Sequence, residues 1–168
     1  EPGFDCARSA GRYTGPLRHL LQQFKYHEAL WLAYDLGAIL AACAISQGLV
    51  EGVDAVAWVP LYRARQRTRG FNQARVLASE LARRLKVPLA PACCRRVRPT
   101  PTQTHLTARQ RTDNVRGVFS AARRRWLEGR RLLLVDDVMT TGATVSECAR
   151  VLKAGGAARV DVVTVARG

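Results

Sequence analysis

The chain has 168 residues with 27 lysines and arginines against 13 aspartates and glutamates, which gives a formal charge of +14. This length suits one domain with a sizeable core. A content of 48% hydrophobic and 24% charged residues excludes long-range disorder. No apolar run is long enough to span a membrane. The basic excess suggests a polyanionic partner, such as a nucleic acid, a membrane surface or a phosphate-rich small molecule. Because the excess is almost all arginine and is spread along the chain, a drift in codon usage is the alternative explanation.

The N-terminal part of the chain is predicted to be helical from Tyr13 to Gln47. Leucines recur at helical spacing after Gly15-Pro16, and a second apolar stretch runs from Leu30 to Ile45. We therefore expect residues 1–50 to form a helical segment that packs on a core made by residues 51–168.

Strands and helices alternate in the rest of the chain. Short runs rich in β-branched residues predict strands at Val53–Pro60, Val87–Cys93, Val118–Ala121, Arg131–Asp137 and Arg159–Ala166. Apolar residues at helical spacing predict helices at Phe71–Lys86 and Thr144–Ala154. Continuous apolar strands that alternate with helices predict an α/β fold, with a mostly parallel sheet flanked by helices.

Two polar segments interrupt this alternation. Leu61–Gly70 is a basic loop that follows the first strand, and Arg95–Arg116 is a long, proline-broken loop of a kind that usually serves function. For each segment the alternative is a solvated or purely structural loop. His105, within the second segment, is expected to pack or to face solvent rather than to act as a base.

Five cysteines occur without the C-x-x-C spacing typical of zinc sites, and no histidine lies near enough to complete a metal site. They are Cys6, Cys43, Cys93, Cys94 and Cys148. We expect reduced, structural thiols in a cytoplasmic protein, with no metal held directly by its side chains.

The strongest chemical signal is LLLVDDVMTTGAT, from Leu132 to Thr144. It predicts that a buried strand carries Asp136 and Asp137 at its carboxyl end, which is where ligands bind in open α/β sheets. A Thr/Gly loop then opens a helix, and the free N–H groups of a helix N-terminus bind anions. Gly142 permits the tight turn that such a loop needs.

This loop suits a phosphate monoester, whereas the two carboxylates would accept hydrogen bonds from a neighbouring diol or organise a cation. A phosphate beside a diol is a 5-phosphoribosyl group, so the motif indicates a ligand of that class. Because paired carboxylates are costly to bury without a partner, a strand–turn–helix that binds nothing is the disfavoured alternative.

The same motif resembles the phosphoribosyl pyrophosphate (PRPP) motif of type I phosphoribosyltransferases. VPLYRARQRTRGFNQA, from Val59 to Ala74, resembles a signature of the ComF/GntX-like group of that superfamily, which is linked to natural competence and DNA uptake. Thr100–Phe119 and Gly15–Ala29 match two further segments of the group, so the resemblance spans residues 13–167. It implies a type I phosphoribosyltransferase-like fold.

The resemblance also implies roles for particular residues. Asp136 and Asp137 match the acidic pair that holds the ribose hydroxyls, and they are the catalytic candidates. The loop that cradles the ribose 5-phosphate corresponds to Thr140, Thr141, Gly142, Ala143 and Thr144. The pyrophosphate loop, where forked guanidinium groups suit a diphosphate, corresponds to Arg63, Arg65, Arg67, Arg69 and Gly70. A mobile flap over the pyrophosphate corresponds to Thr100–Arg116, and its candidate ligand contacts are Gln103, Arg109, Arg111 and Asn114.

The implied function is binding of PRPP. If the protein is catalytic, the reaction is Mg²⁺-dependent phosphoribosyl transfer, a glycosyltransferase reaction, to an unknown acceptor. The alternative is a non-catalytic partner in nucleic-acid processing that binds single-stranded DNA and a helicase-like ATPase of DNA uptake. The group usually begins with a cysteine-rich zinc-binding region, to which only Cys6 corresponds, so zinc is expected only in a module that is absent from this chain or was removed from it. The oligomeric state is left open.

Overall fold

The computed structural model describes residues 1–26, 29–99 and 114–168. Strands and helices alternate through most of these residues. In order they are β1 (Cys6–Arg12), α1 (Gly15–Tyr26), α2 (Leu32–Ser46), β2 (Ala55–Trp58), α3 (Arg63–Arg69), α4 (Gln73–Leu85), β3 (Cys94–Arg96), β4 (Phe119–Ala121), α5 (Arg124–Leu127), β5 (Arg131–Met139), α6 (Ala143–Ala154) and β6 (Arg159–Arg167).

Among the described residues, a parallel sheet of four strands in the order β1-β6-β5-β2 lies at the centre. The two longest strands, β5 and β6, pair side by side, and Asp136 of β5 lies opposite Thr164 of β6. An isolated bridge between Val56 and Leu89 extends the sheet beyond β2. A separate antiparallel pair is formed by β3 and β4. Because the four central strands run in one direction, their carboxyl ends meet at one edge of the sheet.

Side-chain alternation along β5 divides the core into two layers. Leu132 and Leu134 pack in the layer that contains α6, whereas Leu133 and Val135 pack in the layer that contains α1, α2 and α4. Because both faces of the strand are covered, its sequence is apolar without interruption. This is the predicted α/β fold, a parallel sheet flanked by helices. No helix in the described ranges combines the length and the apolar character needed to cross a membrane.

The N-terminal segment contributes more than helices. No strand is predicted at Cys6–Arg12, yet β1 pairs with β6 at the edge of the sheet. Main-chain pairing there stabilises a sequence with little strand propensity of its own. The division of the chain at residue 50 stays a prediction.

Two predicted elements differ in type or extent. The predicted loop Leu61–Gly70 is wrong over Arg63–Arg69, which form α3, because arginine, alanine and glutamine are good helix formers. The helix ends at Gly70, whose φ of 76° is a left-handed conformation that favours glycine. The predicted strand Val87–Cys93 is reduced to the single bridge at Leu89.

Candidate functional site

Two adjoining cavities open where the carboxyl ends of β2 and β5 meet the N-termini of α4 and α6. The first, the threonine-loop cavity, has a volume of about 310 Å³ and is lined by Tyr13, Lys25, Asp136 and residues 138–145. The second, the arginine cavity, has a volume of about 240 Å³, and its lining includes Lys25, Arg65, Arg69, Gln73, Arg96, Asp136 and Asp137. Because Lys25, Asp136 and Thr144 line both, the two cavities adjoin at the carboxylates.

The threonine loop, residues 140–144, connects β5 to α6. Gly142 precedes the helix with a φ of 79°, in the left-handed region. Apart from a long hydrogen bond from Ala143 N–H to Thr141 Oγ1 at 3.4 Å, no side chain of the described residues caps the first turn. The remaining N–H groups of this turn and the threonine hydroxyls are therefore available to an anion.

The carboxylate pair extends from the end of β5. Asp137 is buried, and its Oδ1 accepts a hydrogen bond from Val138 N–H at 2.7 Å. Asp136 is mostly buried, and its Oδ1 accepts a hydrogen bond from Asp137 N–H at 2.9 Å. Burial and the neighbouring charge of Asp137 raise the pKa of Asp136 to about 8. A ligand that brings hydrogen-bond donors or a cation would stabilise the ionised form of Asp136.

Replacing Asp136 with asparagine is expected to stabilise the ligand-free protein at alkaline pH. Its folded pKa of about 8 lies above the ordinary value of 3.8, so the folded state keeps a proton that the unfolded state releases. The stability that this group contributes is present below the lower pKa and is lost as the pH rises towards the higher one. We expect Asp136→Asn to raise the free energy of unfolding by at least about 1 kcal/mol at pH 8, and by far less near pH 4.

Urea unfolding of wild type and variant at both pH values measures this difference. An equal gain at the two pH values would contradict the raised pKa, because it would not depend on ionisation.

Lys25, in the last turn of α1, is a site residue that the sequence analysis missed. Its Nζ lies 3.0 Å from Asp137 Oδ2, and the two side chains are only 19% and 12% exposed. Burial lowers the pKa of Lys25, but attraction to Asp137, together with smaller contributions from Asp136 and Tyr13, outweighs burial and raises the pKa. The rarity of lysine in this arginine-rich chain is the signal that could have found it.

Helix α3 separates the arginines of the predicted pyrophosphate loop. Arg65 and Arg69, one turn apart, line the arginine cavity. Arg63 and Arg67, also one turn apart, line other surface depressions, and Gly70 lies with Arg67. A helical rather than extended backbone is the reason, since alternate residues of a helix do not share a face. The structure therefore brings Arg65 and Arg69 to the carboxylates, but not the other three residues.

Two further donors line the arginine cavity. Gln73, the first residue of α4, is 3% exposed, and its Nε2 has no hydrogen-bond partner among the described residues. Arg96 of β3 is partly buried, and burial together with nearby Arg65 lowers its pKa. Asn72 instead caps α4, since its Oδ1 accepts a hydrogen bond from Arg75 N–H at 3.2 Å. Gln73 is therefore the residue of this pair that remains available to a ligand.

Most of the candidate flap contacts, Gln103, Arg109 and Arg111, lie outside the described residues. Asn114 is described and partly buried, and its Nδ2 has no partner within the described ranges. Gly117 N–H donates to Glu147 Oε1 at 2.8 Å, which ties the end of this segment to the helix that follows the threonine loop. The flap role stays a prediction.

The carboxylate pair is also where a divalent cation fits. Mg²⁺ is commonly held by one or two carboxylates together with oxygens of the ligand and water. Asp136 and Asp137 supply such carboxylates, while no cluster of three or more His, Cys, Asp or Glu that could hold a metal ion occurs in the described part of the chain. A cation here would be held by Asp136 and Asp137 together with oxygens of water or of a bound ligand.

Comparison with known proteins gives concordant matches. A family model described as a phosphoribosyl transferase domain matches residues 72–168. Competence protein F of Haemophilus influenzae is 35% identical over 171 residues, covering 99% of this chain and 75% of that protein. DNA utilization protein YhgH of Escherichia coli K12 is 35% identical over 158 residues, covering 92% of this chain and 69% of that protein.

A solved structure shares the fold. Glutamine PRPP amidotransferase from B. subtilis, complexed with ADP and GMP, matches with a TM-score of 0.52 and 24% identity. The match covers 79% of this chain but only 25% of the amidotransferase. The likeness therefore concerns the fold of one part of that larger protein.

Proposed function

The chain belongs to the type I phosphoribosyltransferase family, among its ComF-like members, and we propose that its two adjoining cavities bind PRPP. The observation that carries the proposal is the position of Asp136 and Asp137 between a threonine loop at a helix N-terminus and a cavity lined by arginines. PRPP presents its groups in the same order, namely a phosphate monoester, a ribose with two hydroxyls and a diphosphate.

Each part of PRPP then has a chemically matched partner. The 5-phosphate accepts hydrogen bonds from the threonine loop and from the first turn of α6. The ribose hydroxyls donate to Asp136 and Asp137. The diphosphate lies in the arginine cavity, where Arg65, Arg69 and Gln73 Nε2, which has no hydrogen-bond partner among the described residues, supply donors.

Magnesium fits this arrangement as a companion of PRPP. Asp136 and Asp137 would hold the ion together with oxygens of the ligand, and the ion would supply positive charge that neutralises the diphosphate.

Phosphoribosyl transfer is proposed as the reaction of this site. The bond from ribose C1 to the diphosphate oxygen breaks, and the bond to the acceptor forms on the opposite face of the ring. Asp136 would balance positive charge that develops on the ribose, while Arg65 and Arg69 stabilise the departing diphosphate. The acceptor would enter beside Tyr13, which lines the threonine-loop cavity but not the arginine cavity.

A role in competence and DNA uptake is supported by the names of the two relatives. We propose that the chain acts in the cytoplasm, since its cysteines are free thiols and three of them are buried, which suits a reducing compartment. Binding of single-stranded DNA and of a helicase-like ATPase stays a prediction of the family resemblance.

The arginines of α3 provide a test of the diphosphate site. We expect Arg65→Ala and Arg69→Ala each to weaken binding of inorganic pyrophosphate with Mg²⁺ about tenfold, because each removes one charged hydrogen bond. Arg63→Ala and Arg67→Ala carry the same change of charge on another face of the helix and should change the affinity less than about twofold. Isothermal titration calorimetry measures all four variants. Equal losses in the four would show that the attraction is non-specific.

Titration of the chain with PRPP, with and without Mg²⁺, tests the proposed function itself. We expect saturable binding that Mg²⁺ strengthens, and competition by ribose 5-phosphate and by pyrophosphate separately, since each occupies one of the two cavities. Absence of saturable binding in the presence of Mg²⁺ would overturn the proposal.

A further inference from the structure

A third cavity, the tryptophan cavity, lies beside the arginine cavity and has a volume of about 460 Å³. Its lining includes Trp58, Arg63, Arg75, Leu89, Arg95 and Arg96. We propose that it binds a nucleotide unit, with the base against Trp58 and the phosphate among the arginines. A volume of this size is within the range of pockets that hold small ligands.

Its position separates the tryptophan cavity from the proposed reaction. It shares Leu61, Asn72 and Arg96 with the arginine cavity and no residue with the threonine-loop cavity. It therefore lies on the far side of the proposed diphosphate from the ribose, whereas an acceptor must approach C1 from the face opposite the diphosphate. With PRPP bound as proposed, the tryptophan cavity is therefore not the acceptor pocket. The lining of the cavity favours a nucleotide whether or not PRPP binds.

The floor of the cavity is apolar and partly aromatic. Trp58, the last residue of β2, is partly exposed and lies beside Leu89, Ala90 and Pro91 in the lining. The guanidinium of Arg75 lies over its ring, with Cζ 5.6 Å from the centroid. Indole rings and guanidinium planes are surfaces on which nucleobases stack, largely regardless of which base is present.

The rim of the cavity carries positive charge from exposed arginines. Arg63, Arg75 and Arg95 are exposed, and no carboxylate of the described residues forms an ion pair with them. The described lining contains no acidic residue either. Elsewhere in the chain exposed arginines do pair, as Arg83 does with Glu80 at 2.7 Å. Forked guanidinium groups around an apolar floor therefore suit a phosphate that is attached to a flat ring.

Neither half of this chemistry suffices alone. A neutral apolar ligand would leave the arginines of the rim without an anion, and inorganic phosphate would leave the floor at Trp58 uncovered. A nucleotide satisfies both, either as a free molecule or as one unit of a single strand.

The test titrates the chain with AMP, with inorganic phosphate and with a single-stranded oligothymidylate of about six nucleotides, at about 100 mM salt. Arg75→Glu and Arg95→Glu are suitable variants, because both arginines are exposed and line the tryptophan cavity but not the arginine cavity. Arg125→Glu is the matched control: it makes the same change of charge at an exposed arginine of α5, which precedes β5 and so lies towards the amino end of the sheet.

We expect Arg75→Glu and Arg95→Glu each to weaken nucleotide binding at least about tenfold, and Arg125→Glu to change it less than about twofold. Saturable binding of AMP that Arg75→Glu and Arg95→Glu weaken assigns the cavity to a free nucleotide, because AMP bound at the threonine loop would not respond to these variants. Binding of the oligothymidylate alone, weakened in the same way, assigns the cavity to a strand. Binding of PRPP should change less than about threefold in all three variants, which separates this site from the proposed function.

Three outcomes would overturn the proposal. The first is that neither AMP nor the oligothymidylate binds. The second is that binding is unaffected by Arg75→Glu and Arg95→Glu. The third is that inorganic phosphate binds as tightly as AMP, because the base would then contribute nothing at Trp58.

Discussion

Exchanging Asp136 and Asp137 together for asparagine is expected to lower the affinity for PRPP at least about a hundredfold. In the proposed complex each carboxylate accepts a hydrogen bond from a ribose hydroxyl, and a hydrogen bond to a charged group contributes about 1.5–3 kcal/mol. Loss of two such bonds corresponds to a change of about two orders of magnitude or more in the dissociation constant. Asparagine keeps the volume of the side chain, so the shape of both cavities is retained.

Calorimetric titration with PRPP and Mg²⁺ measures the loss, and a urea unfolding curve establishes that the variant is folded. Asp35→Asn, at an exposed carboxylate of α2, is the control that should bind as wild type does. If the double variant bound PRPP as tightly as wild type, the carboxylates would not hold the ribose. For Asp136→Asn alone, affinity and alkaline stability should change in opposite directions, because the charge that binds the ligand destabilises the ligand-free fold.

Replacing Lys25 with methionine is expected to lower the free energy of unfolding by about 3 kcal/mol. Methionine preserves most of the apolar stem, so the main loss is the cation that faces Asp137 at 3.0 Å. Removing one partner of a mostly buried pair leaves the other charge without compensation, which costs more than the pair contributes when intact.

A second ion pair supplies a matched control. Lys153 Nζ lies 3.0 Å from Asp5 Oδ1, the same distance, but these side chains are 37% and 32% exposed. Lys153→Met should therefore cost less than about 1 kcal/mol. Adding Asp137→Asn to Lys25→Met should recover at least about 1 kcal/mol, and urea unfolding of the four proteins of this cycle measures the coupling. If the effects of Lys25→Met and Asp137→Asn on the free energy of unfolding were strictly additive, the ion pair between Lys25 and Asp137 would contribute nothing.

The sequence predicts the part of the site that one continuous segment forms. An apolar strand, two carboxylates and a Thr/Gly turn follow one another in Leu132–Thr144, so their relative positions depend on local structure. The structure accordingly brings Asp136 and the threonine loop into one cavity. The general fold was predictable for the same reason, because buried strands such as β5 are apolar without interruption.

The parts that were not predicted depend on tertiary packing or on backbone type. Lys25 reaches Asp137 only because Leu21 and Phe24 bury α1 in the same core layer as Leu133 and Val135 of β5. Nothing in the helical spacing of α1 specifies that contact. The arginines after β2 are assigned as one set because the family resemblance implies a pyrophosphate loop there, whereas α3 directs Arg65 and Arg69 to the carboxylates and Arg63 away from them. The roles of Gln103, Arg109 and Arg111 remain predictions.

The pairing of β1 with β6 has a consequence for how the chain reaches its native state. Val160 N–H donates to Asp5 Oδ2 across a separation of 155 residues, and Cys6 of β1 lies opposite Asp161 of β6. During synthesis β1 therefore cannot pair with β6 until nearly all of the chain described here has left the ribosome. Until then, β6 is either not yet synthesised or has an unpaired apolar edge. An unpaired strand edge is a template for aggregation. We expect the slowest folding step to be this closure, because it joins the most distant segments of the described chain.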